Sequence, residues 1–284
     1  MKIKNLLCIA AFICSSSSFA EVSPTAAANA AAVPGSEYKT LHNVRVSMQR
    51  MLRSADNRYF LDLYAGIWNP HGVLKDLTEN RSIAFKGSQK GDQLNLKSVS
   101  IDSMDEAEVQ QKYELSGQLD ANTGLLSAVL TSADRTQNKG INFEPAFKAA
   151  DKPVVVFKFY GAEGADQPYG KALKRIDIIN KTNNTVMQSL TGFTAFAGSI
   201  GFLDINFDGY YDVVLADTAD NKKVEDKRFI YWMYNPKTKQ FQRSPQLEKI
   251  SGFPALHGDK QQIDFGEGQV YQVTNGLLNR VQNE

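Results

Sequence analysis

At 284 residues, with 32 basic and 31 acidic side chains and a formal net charge of +1, the chain gives neither nucleic acid nor an anionic membrane a charge to bind. Its length is enough to bury a sizeable core. Only two cysteines and three histidines occur, which leaves little material for zinc or thiol chemistry.

The chain opens with the pattern of a secretory signal peptide over residues 1–20. Lys2 and Lys4 supply the positive start, residues 6–13 an apolar core and Ser18-Phe19-Ala20 a small-residue cleavage site. A lipoprotein would carry small residues before a cysteine, but Cys8 follows Leu6-Leu7 and Cys14 follows Phe12-Ile13. Both cysteines fall inside the signal, so the mature chain is expected to have no thiol for a disulfide, a zinc cluster or a nucleophile. Without Lys2 and Lys4 the basic count falls from 32 to 30 against 31 acidic residues, a net charge of about −1. The short Lys-led signal looks bacterial and predicts a periplasmic or secreted protein. No later apolar run reaches the roughly 20 residues that span a bilayer, so no transmembrane segment is expected in the mature chain.

Residues 21–36, rich in alanine and carrying Pro24 and Pro34, read as a flexible leader. From Asn43 onward, short β-prone runs alternate with Gly, Asn, Asp and Pro. That spacing predicts an all-β sandwich, barrel or propeller with few short helices. An N-terminal β region is expected over 37–150 and a C-terminal one over 151–284, with one sheet system shared by the two as the alternative to separate units. Residues 58–68 form a strand candidate closed by Asn69-Pro70-His71-Gly72. Tyr113, Leu115, Gly117 and Leu119 alternate before a turn at 120–124, and 125–131 returns as a hairpin. Residues 102–111 are the best helical exception, with acidic residues at the start. Residues 136–152 show little periodicity and read as a connector.

In the second half, 153–160 is a nearly continuous apolar run, which predicts a strand buried on both faces. Residues 175–179 and 186–190 flank a turn-rich 180–185. Residues 229–234 and 240–243 flank Asn235-Pro236-Lys237-Thr238-Lys239, a further hairpin whose aromatics are expected to fill a core.

The chemistry is concentrated in Asp204-Ile205-Asn206-Phe207-Asp208-Gly209-Tyr210-Tyr211-Asp212. Oxygen side chains stand at loop positions one, three, five and nine, and Gly209 at six permits the sharp turn. Alternate residues of a tightly curled loop converge on one centre, where Asp204, Asn206, Asp208 and Asp212, with the Tyr210 carbonyl, would form a cage of hard oxygen. Calcium suits that set better than zinc, which prefers imidazole and thiolate, or magnesium, which demands a stricter octahedron. Position twelve is Leu215, so the bidentate glutamate of an EF-hand is missing. The apolar runs 200–203 and 213–215 put a strand on each side instead.

This strand-loop-strand calcium motif resembles the loop of FG-GAP repeats in integrin-type β-propellers. Ile176-Asp177-Ile178, 186–190, 202–210, Tyr231-Trp232-Met233-Tyr234-Asn235-Pro236 and Phe241 together resemble bacterial periplasmic proteins with one such loop, over roughly 173–281. Some of these are immunity-type inhibitors of lysozyme-like effectors of type IV secretion. The resemblance implies a propeller-like or incomplete-propeller fold built from antiparallel hairpins, one structural calcium, and a protein partner that is a cell-wall hydrolase. Inhibitors of this kind can use a Tyr-x-x-Gly loop, and no Tyr in this chain has Gly three positions later. The nearest Tyr/Gly-rich segment supplies the candidate partner surface: Tyr160, Gly164, Tyr169 and Gly170.

Catalysis has little residue support. His42, His71 and His257 are not spaced to share a metal on one element, residues 164–171 lack the spacing and the Ser/Thr of a phosphate loop, and no Gly-x-Ser-x-Gly occurs. The expectation is a non-enzyme: an inhibitor of a lysozyme-like hydrolase or, alternatively, a calcium-stabilised module that binds glycan or an envelope partner.

Overall fold

The computed structural model describes residues 38–66, 68–100 and 112–281, and these are all-β apart from three single-turn 3-10 segments. The signal peptide, the leader and the helix expected over 102–111 lie outside the described residues. After a short β1 (Lys39–Thr40), eight strands run as an antiparallel meander: β2 (Val46–Ser54), β3 (Tyr59–Ala65), β4 (His71–Asp76), β5 (Arg81–Lys90), β6 (Gln93–Val99), β7 (Tyr113–Leu119), β8 (Leu126–Ser132) and β9 (Asn138–Pro145). β9 then pairs back onto β2, with Leu52 opposite Pro145 and Ser54 opposite Phe143, so the meander closes into a barrel.

The period-two alternation of these strands gives the closed sheet its apolar inner face. Leu94 and Leu96 point inward while Gln93, Asn95 and Lys97 face water, and β8 and β9 alternate in the same way. Leu61, Leu63, Phe85, Leu94, Leu115 and Phe143 are among the side chains that fill the interior. An eight-stranded barrel is just wide enough to be packed solid by side chains. Each such Leu or Phe contributes about 1.5–3 kcal/mol by leaving water. An apolar interior with a polar exterior is the reverse of a membrane-spanning barrel. Among the described residues no helix is long and apolar enough to cross a membrane.

The remaining strands form three four-stranded antiparallel groups. β10 (Val155–Glu163), β11 (Lys171–Asn180) and β12 (Val186–Leu190) join β1 in the order β1-β10-β11-β12. β13 (Ala195–Leu203), β14 (Asp212–Asp217), β15 (Phe229–Asn235) and β16 (Gln240–Arg243) pair in sequence. β17 (Ala255–His257), β18 (Gln262–Asp264), β19 (Val270–Thr274) and β20 (Leu277–Arg280) make a separate sheet. β13 joins the barrel in parallel to β2 through Ile200–Val46, Gly201–Ser47 and Phe202–Met48.

β3 is buried along almost its whole length because it is covered on both sides. Leu61 and Leu63 enter the barrel, while Phe60 joins Met51, Leu203, Ile205, Tyr231, Ile263 and Phe265 in a core outside it. Gly258 lets the turn before β18 approach that core. A Cβ there would lie 2.5 Å from Met51 Sδ and 2.7 Å from Phe60 Cζ.

Three local expectations are corrected. His71 and Gly72 do not close a turn; they begin β4, paired to Tyr64 and Leu63. The supposed connector 136–152 contains β9, the strand that closes the barrel. β10 is not buried on both faces, for Val156 is 43% exposed and the strand alternates. The hairpins at 113–132, 175–190 and 229–243 form as expected, and Tyr231, Tyr234 and Phe241 of the last are core residues.

Candidate functional site

The acidic loop connects β13 to β14, and the pairing of Leu203 with Asp212 brings its two ends together. Its apolar residues fix it. Ile205 and Phe207 are buried in the core outside the barrel, and Phe207 packs against Phe147 at 5.3 Å between ring centroids. Phe207 and Gly209 take positive φ values of 57° and 88°. A Cβ on Gly209 would lie 2.7 Å from the Ala149 amide nitrogen, so the glycine serves a close backbone approach as well as the turn.

With Ile205 and Phe207 turned into the core, the intervening polar side chains are left to one another. Asp204 accepts the amides of Asp208 at 3.0 Å and Gly209 at 2.9 Å. Asp208 accepts the Tyr210 amide at 2.9 Å on Oδ1 and Asn206 Nδ2 at 2.8 Å on Oδ2. The other end of that amide, Asn206 Oδ1, is buried and has no partner. Asp212 likewise uses both oxygens on backbone, one of them on the neighbouring strand: Oδ2 accepts from Ile205 at 3.0 Å and Oδ1 from Tyr234 at 2.8 Å. The Tyr210 hydroxyl donates to Asp151 at 2.8 Å. The structure thus gathers Asp204, Asn206 and Asp208, keeps Tyr210 beside them, and employs Asp212 as a lock. Among the described residues no three His, Cys, Asp or Glu side chains converge on one metal-sized centre.

Electrostatics sharpen this division. Burial, followed by repulsion from Asp208, pushes the Asp204 carboxyl up to about 7, against the pull of the Gly209 and Asp208 amides and of Lys152. Asp212 is driven well above the usual carboxylate range, chiefly by burial, and the Tyr234 amide opposes the shift. Two buried acids and an unpartnered amide oxygen therefore face the cost of desolvated negative charge, which a bound cation would relieve.

Sequence reading misses the groups that approach from elsewhere. Gln49, Arg50, Lys152 and Asp204 share the lining of a cavity of about 20 Å³, room for about one water. Gln49 Oε1 and Arg50 Nε are buried without partners. The Lys152 ammonium stands 5.2 Å above the Tyr211 ring, and burial pulls its pKa down. No local signal marks these residues, because only the β2–β13 pairing brings β2 to the loop.

The Tyr/Gly-rich segment is divided by the fold. Gly164, Tyr169 and Gly170 share one loop, closed by the Gly164 amide donating to the Gly170 carbonyl at 3.1 Å. Tyr169 is 49% exposed, yet its hydroxyl donates to Glu225 at 2.9 Å and accepts the Val224 amide at 3.1 Å. It anchors one loop to another. Tyr160 lies apart on β10 beneath the Arg175 guanidinium, 4.0 Å from its ring centroid. The histidines are scattered: His71 stacks on Tyr64, while His257 lines a different cavity with Lys75 and Asp259.

In comparisons with known proteins, no family model, no curated protein and no solved structure matches this chain.

Proposed function

We propose that this is an exported calcium-binding protein that acts in the periplasm as an inhibitor or immunity protein against a lysozyme-like cell-wall hydrolase. The observation that carries the metal half of this reading is the unpartnered, buried Oδ1 of Asn206, whose Nδ2 bonds Asp208, together with the mutual repulsion of Asp204 and Asp208. Those three side chains, with the Tyr210 carbonyl, would hold the ion, and Asp212 would stiffen the cage through its two amide bonds. Bound calcium supplies the positive charge that lets Asp204 and Asp208 stay ionised together.

The inhibitory half rests on the resemblance of 173–281 to single-loop FG-GAP-like immunity proteins. The same resemblance carries a propeller-like reading of the region after the barrel. What supports that reading is the succession of three four-stranded antiparallel groups, the second of which holds the acidic loop between its first two strands. The test is titration of the purified mature chain, in calcium, into lysozyme-like hydrolases acting on peptidoglycan. Loss of turnover at near-equimolar inhibitor is expected. Tight binding to purified peptidoglycan with no inhibition of any hydrolase would overturn the inhibitory reading in favour of a glycan-binding module.

A further inference from the structure

Along an antiparallel strand, successive residues turn their amide and carbonyl to opposite sides. In β10 the alternation is fixed by two bonds. The Lys181 amide donates to the Val154 carbonyl at 3.0 Å, so Val154 faces β11; the Leu41 amide donates to the Phe159 carbonyl at 2.9 Å, so Phe159 faces the β1 side. Val155 and Phe157 share the parity of Phe159 and therefore present their main-chain groups on the edge away from β11. β1 covers that edge only from Phe159 to Gly161. Beyond Leu41 the chain turns away through Asn43, at a φ of 55°, and the Arg45 amide bonds the Ala197 carbonyl on β13. Among the described residues nothing is hydrogen-bonded to the outward amides and carbonyls of Val155 and Phe157.

This open edge lines a cavity of about 300 Å³. Its wall is aromatic: Phe157 packs on Phe202 at 4.4 Å and on Phe241 at 6.2 Å, and Tyr234 on Phe241 at 5.1 Å. Donors and acceptors repeated every second residue, about 6.6–7 Å apart, match another extended backbone. One row of side chains on such a strand would lie with Val155 and Phe157 over the rings, and the other with the exposed Val154 and Val156.

We propose that this edge of β10 takes an extended peptide segment of a protein partner, apolar at alternate positions, as an added strand in line with β1. The occupant is a peptide because the lane is already a strand lane, which β1 fills at one end and leaves open at the other. The inference goes beyond the inhibitory reading, since it does not require the partner to be a hydrolase, and its test contains none.

The test is selection of random decapeptides displayed on phage against the full mature chain, followed by calorimetric titration of the enriched sequences as free peptides. Enrichment of sequences with alternate apolar residues is expected, and hydrogen exchange at the Val155 and Phe157 amides should slow when they bind. Methylating every second backbone nitrogen of the peptide should weaken binding by about tenfold or more in one register and spare it in the other, which side-chain docking alone would not produce. Val155→Pro removes an edge donor and leaves the β10–β11 ladder intact, so it should weaken the peptide by about tenfold with little change in melting temperature. Absence of enrichment, equal sensitivity of the two methylation registers, or unaltered exchange at Val155 and Phe157 would each overturn the proposal. A dimer in sedimentation that Val155→Pro dissociates would overturn it in favour of a second copy of the chain on this edge.

Discussion

Asp212 and Tyr234 are joined by a buried hydrogen bond of 2.8 Å from the Tyr234 amide to Asp212 Oδ1, across 22 residues of sequence. The residue at loop position nine is thereby fastened to the neighbouring strand β15, while its second oxygen holds the Ile205 amide inside the loop. The roles of the acidic residues consequently separate: Asp204 and Asp208 tie the loop to itself, and Asp212 also ties it to the neighbouring strand.

That separation predicts two classes of variant. Calcium that binds with a dissociation constant on the order of 10⁻⁴ M stabilises the native state by about 2.7 kcal/mol at a hundredfold excess over that constant. In a chain of this size the melting temperature rises by about 5–10 °C. Asp208→Ala should abolish most of the rise and, in chelator, cost less than Asp212→Ala, because it frees one part-buried backbone amide rather than two buried ones. Asp212→Ala should lower the melting temperature in chelator itself by orphaning two buried amides, at about 1–3 kcal/mol each. Calorimetric scans of both variants with and without calcium check this, and identical behaviour of the two would refute the division.

Gly209→Ala is expected to destabilise the chain by about 1–3 kcal/mol whether or not calcium is present. The positive φ of 88° and the backbone of residues 148–149 both exclude a Cβ at that position. Urea unfolding in chelator measures the loss directly; a variant that unfolds like the parent under those conditions would show that the close approach is not retained.

A pH dependence follows from Asp62, which lies 3.4 Å from Lys75 Nζ, and Lys75 also pairs with Asp259. Burial, only partly offset by Lys75, pushes the Asp62 carboxyl up to about 6. The native state thus holds this proton more tightly than the unfolded chain. The contribution to stability is complete below about pH 4 and is lost as pH rises through 6, amounting to about 3 kcal/mol. Asp62→Asn cannot titrate, so its stability relative to the parent should climb by about that amount between pH 4 and pH 7. Urea midpoints at closely spaced pH values give the difference, and a constant offset between the two chains would contradict it.

Gln188 protects the free edge of β16. Its Nε2 donates to the Phe241 carbonyl and its Oε1 accepts the Phe241 amide, both at 2.8 Å. Gln188→Ala should cost about 1–3 kcal/mol through these lost partners. Gln188→Glu should do no better, since a carboxylate would meet the Phe241 carbonyl. Equilibrium unfolding of the two variants checks the claim, with full stability of the glutamate variant as the contrary result.

Local patterns in the sequence determined the all-β class, the hairpins around 120–124, 180–185 and 235–239, and the strand-loop-strand placement of Asp204 to Asp212. Each depends on alternation or turn chemistry within a few residues, where side-chain period and backbone preference act directly. Tertiary structure alone decided the closure of the barrel through Leu52 and Pro145, the parallel pairing of β2 with β13, and the burial of both faces of β3. Those features are pairings between distant segments, favoured only after the loop-closure entropy has been overcome, and no local period encodes them. The acidic loop shows the same boundary. Its oxygen spacing is written in nine consecutive residues, but the partner of Asp212 is on β15 and the cations near Asp204 come from β2 and the segment after β9. Whether each carboxylate carries charge or holds backbone is therefore a property of the folded chain.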